Sequence, residues 1–143
     1  MTVDRRIELN RNYKPLPTYE GDEVFRNGFF YFNITRILEQ IESGGIRVEE
    51  EVMDVEDWFK SHFHHGSINE GHLPTVDVTN PILLAEIRPG MFNVIDGNHR
   101  IEKAYREGIP TIHAYRLRGE QLLPFFTEED RYRSFVDYWN SKL

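Results

Sequence analysis

The segment from Ile82 to Leu117 constrains the fold more than any other part of the chain. Ile82-Leu83-Leu84-Ala85-Glu86-Ile87 reads as a buried strand, and Arg88-Pro89-Gly90-Met91 supplies turn chemistry. Phe92-Asn93-Val94-Ile95 returns as the paired strand of a hairpin. Asp96-Gly97-Asn98 breaks that strand, and a helix is expected from about His99 to Glu107, ended by Gly108. Pro110 then opens a strand over Thr111–Leu117. Strands that close in sequence, with a helix between them, call for a small mixed sheet. The expected fold class is therefore α+β, a single domain over residues 1–143 whose heart is a strand–turn–helix–strand unit.

The flanking segments are read the same way. Residues 1–25 look loosely organised, because Pro15 and Pro17 hold the chain extended. Gly28-Phe29-Phe30-Tyr31-Phe32 suits a short strand, and Asn33 is placed to cap a helix over Ile34 to Glu42. Ile34, Ile37, Leu38 and Ile41 form the buried stripe of that helix, and Gly44-Gly45 stops it. Ile46 to Val55 reads as a strand and Glu56 to Lys60 as a short helix with acids in its first turn. Ser61 to His72 is the longest stretch without a pattern. A C-terminal helix is expected within 127–142, with Thr127 as its cap and Asp130 completing a capping box.

Chemistry concentrates in Val94 to Ala104. The first amides of a helix have no partner inside it, and with the helix dipole they favour an anion. Gly97 permits the turn and a close approach of a phosphate oxygen, and Arg100 adds a planar, permanently charged fork. His99 can donate a hydrogen bond or act as acid or base, and a helix N-terminus tends to lower its pKa. Asp96 is the anomaly. A carboxylate beside an anion site is unfavourable unless it binds a cation, caps the helix or takes a proton. The bland alternative is a tight turn in which Asp96 caps the helix and Arg100 pairs with an acid.

Asp96-Gly97-Asn98-His99-Arg100, a helix containing Ala104, then Gly108-Ile109-Pro110 and a strand, resembles the ParB/sulfiredoxin superfamily over roughly residues 74–117. Asn80-Pro81-Ile82-Leu83-Leu84 is similar to the strand that precedes the motif there. In that superfamily the Gly-x-x-Arg turn holds nucleotide phosphates. The resemblance thus implies phosphate contact for Gly97, Asn98, His99 and Arg100, with ATP or another nucleoside triphosphate as the ligand. The free-serine kinases carry the most similar variant, which implies a catalytic or Mg²⁺-binding role for Asp96 and makes His99 its catalytic companion. Sulfiredoxins place a catalytic Cys in this turn. The chain has no Cys, so sulfinic acid reduction is excluded, as are disulfides and thiolate metal sites. Chromosome-partitioning members have a more basic turn and continue into a helix-turn-helix domain, which a chain of 143 residues is not expected to contain.

Composition narrows the partners. With 17 Lys and Arg against 24 Asp and Glu, the net charge of −7 disfavours duplex DNA. No basic-then-apolar leader opens the chain and no run is long enough to span a membrane, so a cytoplasmic location is expected. His62, His64, His65 and His72 admit three readings: a metal site, a polar mobile loop, or a lid over a substrate. Glu49-Glu50-Glu51 with Asp54, Glu56 and Asp57 reads as a solvated face or as further Mg²⁺ ligands, and Arg116 and Arg118 as surface charges or phosphate contacts. Phe125, Phe126, Phe135, Tyr138 and Trp139 read as core rather than a base-stacking platform. The functional expectation is a nucleotide-binding domain that performs ATP- and Mg²⁺-dependent phosphoryl transfer to a small hydroxyl substrate, or nucleotide hydrolysis. The alternative is a non-catalytic ParB-like module that associates with DNA or with protein.

Overall fold

The computed structural model describes residues 4–143 and is a small mixed α+β protein. In chain order the regular elements are β1 Val24–Asn27, β2 Phe30–Asn33, α1 Ile34–Ser43, β3 Glu49–Asp54, α2 Val55–Ser61, β4 Ile82–Arg88, β5 Met91–Asp96, α3 Asn98–Arg106, β6 Thr111–Leu117, α4 Gly119–Leu122 and α5 Glu129–Ser141. Single 3-10 turns occupy Leu73–Thr75 and Leu123–Phe125. β1 and β2 form an antiparallel hairpin, and the larger sheet runs in the order β3-β6-β4-β5. β3 and β6 are antiparallel, with Glu51 opposite Ala114 and Asp54 opposite Thr111. No helix among the described residues is long and apolar enough to cross a membrane.

Contacts gather the chain into two compact units built from discontinuous segments. The first contains residues 4–47, Ala85–Asn93 and Leu117–Leu143. Its interior is aromatic: Phe32 meets Phe126 at 4.7 Å, Phe126 meets Phe135 at 5.1 Å, and Phe135 meets Trp139 at 5.9 Å. Trp139 leaves no room for a side chain at Gly119, where a Cβ would lie 2.2 Å from the indole. The second unit contains Val48–Leu84 and Val94–Arg116. Its interior is aliphatic, from Val55, Ile82, Leu83, Leu84, Ile95, Ile101, Ala104 and Ile112.

The expected β4–turn–β5–α3–β6 order is present, with β6 at the expected bounds. Asn33 caps α1, its Oδ1 accepting the Arg36 amide at 3.1 Å, and Gly44 ends the helix at φ +77°. Three expectations need correction. β3 begins at Glu49 rather than Ile46, because the Ile46 amide still bonds Gln40 O beyond the end of α1. Thr127 does not cap α5: its amide donates to Tyr31 O at 3.2 Å, so the helix is capped from Glu128 without a side-chain bond. The N-terminal stretch lacks regular structure from Asp4 on but is not loose. Trp139 Nε1 donates to Arg5 O at 2.9 Å, Asn140 bonds both the amide and the carbonyl of Ile7, and the Tyr13 hydroxyl donates to Leu123 O at 2.6 Å.

The anchor of that stretch is Glu86, 2% exposed in β4. Its carboxylate accepts from Arg5 Nη1 at 2.9 Å and Nη2 at 2.6 Å, and from the amides of Gly90 at 2.8 Å and Gly119 at 3.1 Å. Burial alone would raise the Glu86 pKa, but the Arg5 guanidinium and the two amides hold it down to about 2. A carboxyl whose folded pKa lies below its ordinary 4.5 stabilises the fold above pH 4.5 and loses that contribution as pH falls towards 2. Glu86→Gln should therefore cost roughly 3 kcal/mol near neutral pH, because it leaves buried donors aimed at a neutral amide. Urea unfolding should show the gap between variant and wild type closing as pH drops from 4.5 to 2. A gap that stays constant over that window would contradict the assignment.

Candidate functional site

β5 ends at Asp96, Gly97 turns the chain at φ +101° and ψ 21°, and α3 starts at once with Asn98. Two independent constraints select glycine here. The left-handed conformation is costly for a residue with a Cβ, and a Cβ would lie 2.7 Å from Ile82 Cγ2 and 3.0 Å from Arg100 Nη1. No side chain of the cap residue closes the helix end, and the first turn carries no acid. The first intrahelical bond runs from the Ile101 amide to Gly97 O at 3.1 Å. The amides of Asn98, His99 and Arg100 precede it and lie at the positive end of the helix dipole.

Arg100 staples this turn. Its Nη1 donates to Pro81 O at 2.6 Å, just before β4, and its Nη2 lies 3.5 Å from Asp96 Oδ2. The pairing of Arg100 with an acid, one of the two readings of the sequence, is thus present, and the acid is Asp96. Asp96 does not cap the helix. Its side chain retains 13% exposure and that of Arg100 23%, so both groups stay in reach of solvent at the edge of the turn.

His99 Nε2 accepts the Asn69 amide at 3.0 Å. An imidazole that accepts at one nitrogen is neutral and carries its proton on the other, here Nδ1. Burial holds the His99 pKa below its ordinary value, and the nearby rings of His72 and His65 add to the effect. The direction matches the sequence expectation, but the causes are desolvation and neighbouring imidazoles.

The Ser61–His72 stretch lies along α3. Besides Asn69 on His99, His64 Nδ1 sits 2.6 Å from Glu102 Oε2, and Arg106 forms a two-pronged pair with Glu70 at 2.5 and 2.9 Å. Lys103 Nζ continues the attachment, donating to Pro74 O at 3.0 Å and Val76 O at 2.9 Å. His99, Glu102 and Arg106 were not joined in the sequence reading, although their spacing puts them on one helical face. No group of three or more metal-capable side chains occurs among the described residues. Elsewhere, Arg116 sits 3.7 Å from Glu51 and 3.9 Å from Glu49 on the partly covered face of β3, while Arg118 caps α4 in the first unit. Phe125, Phe126, Phe135 and Trp139 are core, and Tyr138 packs edge-on against Phe29 and Phe30.

Gly97 offers a clean test of the turn. Gly97→Ala combines left-handed strain with the collision at Ile82, whereas Gly90→Ala at φ +80° meets nothing within 4 Å. Thermal unfolding should show Gly90→Ala costing about 1 kcal/mol and Gly97→Ala about 2 kcal/mol more. Equal losses would contradict the close packing. No protein-family model, no curated protein and no solved structure matches the chain.

Proposed function

We propose that the N-terminus of α3 is a phosphate site and that the protein binds a nucleoside triphosphate, ATP with Mg²⁺, there. One observation carries the reading: a helix whose leading amides, Asn98 to Arg100, follow a left-handed glycine and are left without a side-chain cap. The resemblance of Asp96 to Arg100 to the Gly-x-x-Arg turn of ParB/sulfiredoxin-like proteins supports it. So does the rigidity of the turn, fixed by Ile82 against Gly97 and by Arg100 against Pro81. The residues present also fit Mg²⁺. That ion is usually held in nucleotide sites by one or two carboxylates together with phosphate oxygens, and the turn offers one solvent-accessible carboxylate, Asp96.

The chemistry this arrangement supports is phosphoryl transfer to a small hydroxyl substrate, or to water. The amides of Asn98, His99 and Arg100 would hold the phosphates, and Arg100 would offset charge on the transferring group while keeping its hold on Pro81. His99 Nδ1–H is the remaining donor of that ring. Asp96 would accept the hydroxyl proton as the oxygen attacks the terminal phosphorus and the bond to the diphosphate leaving group breaks. Bound Mg²⁺ would supply neutralisation of phosphate charge, and holding that ion is the alternative role of Asp96 to accepting the proton.

The second reading, a non-catalytic ParB-like module for DNA or protein, is favoured by the Arg100–Asp96 contact, which lets the turn satisfy its own charges. Isothermal titration with ATP and with CTP, each with Mg²⁺, separates the two. The nucleotide reading expects saturable binding by the wild type and at least about a tenfold loss in Arg100→Ala, the worth of one charge-assisted contact. Equal affinities in both proteins, or no heat from either nucleotide, would sink it. A salt-sensitive gel shift with unrelated duplex DNA would support the second reading.

A further inference from the structure

The histidines of the Ser61–His72 stretch and His99 differ in what holds their ring nitrogens. His62 has Nδ1 2.9 Å from Trp58 O, and His65 Nδ1 accepts the Ser67 amide at 3.1 Å. His72 Nδ1 shares the Thr75 hydroxyl at 3.2 Å, and His99 Nε2 takes the Asn69 amide. Among the described residues only His64 has a ring nitrogen on a carboxylate, with Nδ1 2.6 Å from Glu102 Oε2. Glu102 is 7% exposed, and its other oxygen is reached by Arg106 Nε at 3.4 Å.

In the neutral ring, a carboxylate on Nδ1 places the proton there and leaves the Nε2 lone pair facing away from Glu102. The ring lies flat on Phe59, with centroids 4.0 Å apart and planes 4° from parallel, and it meets Tyr105 edge-on at 4.7 Å. The stack sets the plane of the imidazole and the Glu102 bond sets its rotation within that plane. Nε2 has no hydrogen-bond partner among the described residues, and the side chain is 43% exposed. A cavity of about 250 Å³ opens beside it, lined by Glu56, Phe59, Lys60, His64 and Tyr105. A second cavity of about 210 Å³ has Glu56 and Tyr105 in its lining as well. The first lining has no Ser, Thr or Cys, so the nucleophile that a base here would activate is water.

We propose that His64 is the proton acceptor of a second site, separate from the α3 N-terminus, which activates water against a small ester seated in this cavity. Water attacks the ester carbonyl carbon while its proton passes to Nε2, and Glu102 stabilises the resulting imidazolium. Negative charge gathers on the carbonyl oxygen, and the donors among the lining residues are the Tyr105 hydroxyl and the Lys60 ammonium, which also donates to Asp57 Oδ1 at 3.0 Å. The bond to the leaving alcohol breaks as the imidazolium returns the proton to it, giving carboxylic acid and alcohol. His64 is the catalytic residue of this step and Glu102 its positioning residue.

The probes are p-nitrophenyl acetate and diethyl pyrocarbonate, used with the full chain. Hydrolysis of p-nitrophenyl acetate above the buffer rate should fall at least about tenfold in His64→Gln, the low end of a general-base contribution, and substantially in Glu102→Gln. Diethyl pyrocarbonate, followed by peptide mass spectrometry, should label His64 several-fold faster than His65 in the wild type. Proton NMR should show a far-downfield Nδ1 proton in the wild type that is lost in Glu102→Gln, a signature that loss of packing alone does not give to a folded variant. ATP titration of His64→Gln should match the wild type. Unchanged hydrolysis in His64→Gln, or labelling of His64 no faster than His65, would overturn the proposal. Both outcomes can be read without Glu102→Gln, should that variant fail to fold.

Discussion

The carboxylate of Glu86 is the interaction on which the first unit depends. A charge buried in the middle of a strand is tolerated only where donors surround it, and here they come from three places far apart in sequence. Arg5 brings the N-terminal stretch, Gly90 the β4–β5 turn, and Gly119 the start of α4. Other contacts follow from that assembly. Arg5 lies over the Trp139 ring at 4.8 Å, the indole donates back to Arg5 O, and the indole face sits where Gly119 has no side chain. A residue that looks like a flaw in an apolar strand is the point at which the segment without secondary structure becomes ordered.

The same strand begins with the residue that shapes the candidate site. Ile82 presses on Gly97, so the step from β5 to α3 admits only glycine, and the carbonyl before Ile82 receives Arg100. A site that must hold an anion with backbone amides needs this kind of rigidity, because ordering a loose turn on binding would consume much of the interaction energy. The Ser61–His72 stretch adds a second layer along α3 through His99, Glu102 and Arg106. Histidine serves two different ends there: His99 as a neutral acceptor of a backbone bond, His64 as a ring held by a buried carboxylate.

Much of this was legible in the order of residues. β4, β5, α3 and β6 announce themselves through a long apolar run, two glycine-bearing turns and Pro110, and the structure matches them to within about one residue, the usual scatter at element ends. Asn33 and Gly44 bracket α1 for the same local reasons. What escaped was non-local. The four-residue β1 has no alternation of its own and exists because it pairs with β2. Thr127 has the chemistry of a cap but is drawn to Tyr31. The charged side-chain partners Arg100, Arg5 and Glu102 of Asp96, Glu86 and His64 lie 4, 81 and 38 residues away, and only the first separation belongs to a local pattern. The site motif was therefore visible as a turn, and so was the pairing of Arg100 with an acid, while the Pro81 carbonyl that also receives Arg100 was not.

The most direct test of the central claim, that phosphates bind the leading amides of α3, is residue-resolved. Amide proton–nitrogen NMR spectra of the labelled protein should be followed as ATP with Mg²⁺ is added. The account predicts that the largest shifts fall on Asn98, His99 and Arg100 and saturate together. Saturating shifts centred elsewhere, or amides of Asn98 to Arg100 that do not move at millimolar nucleotide, would contradict it.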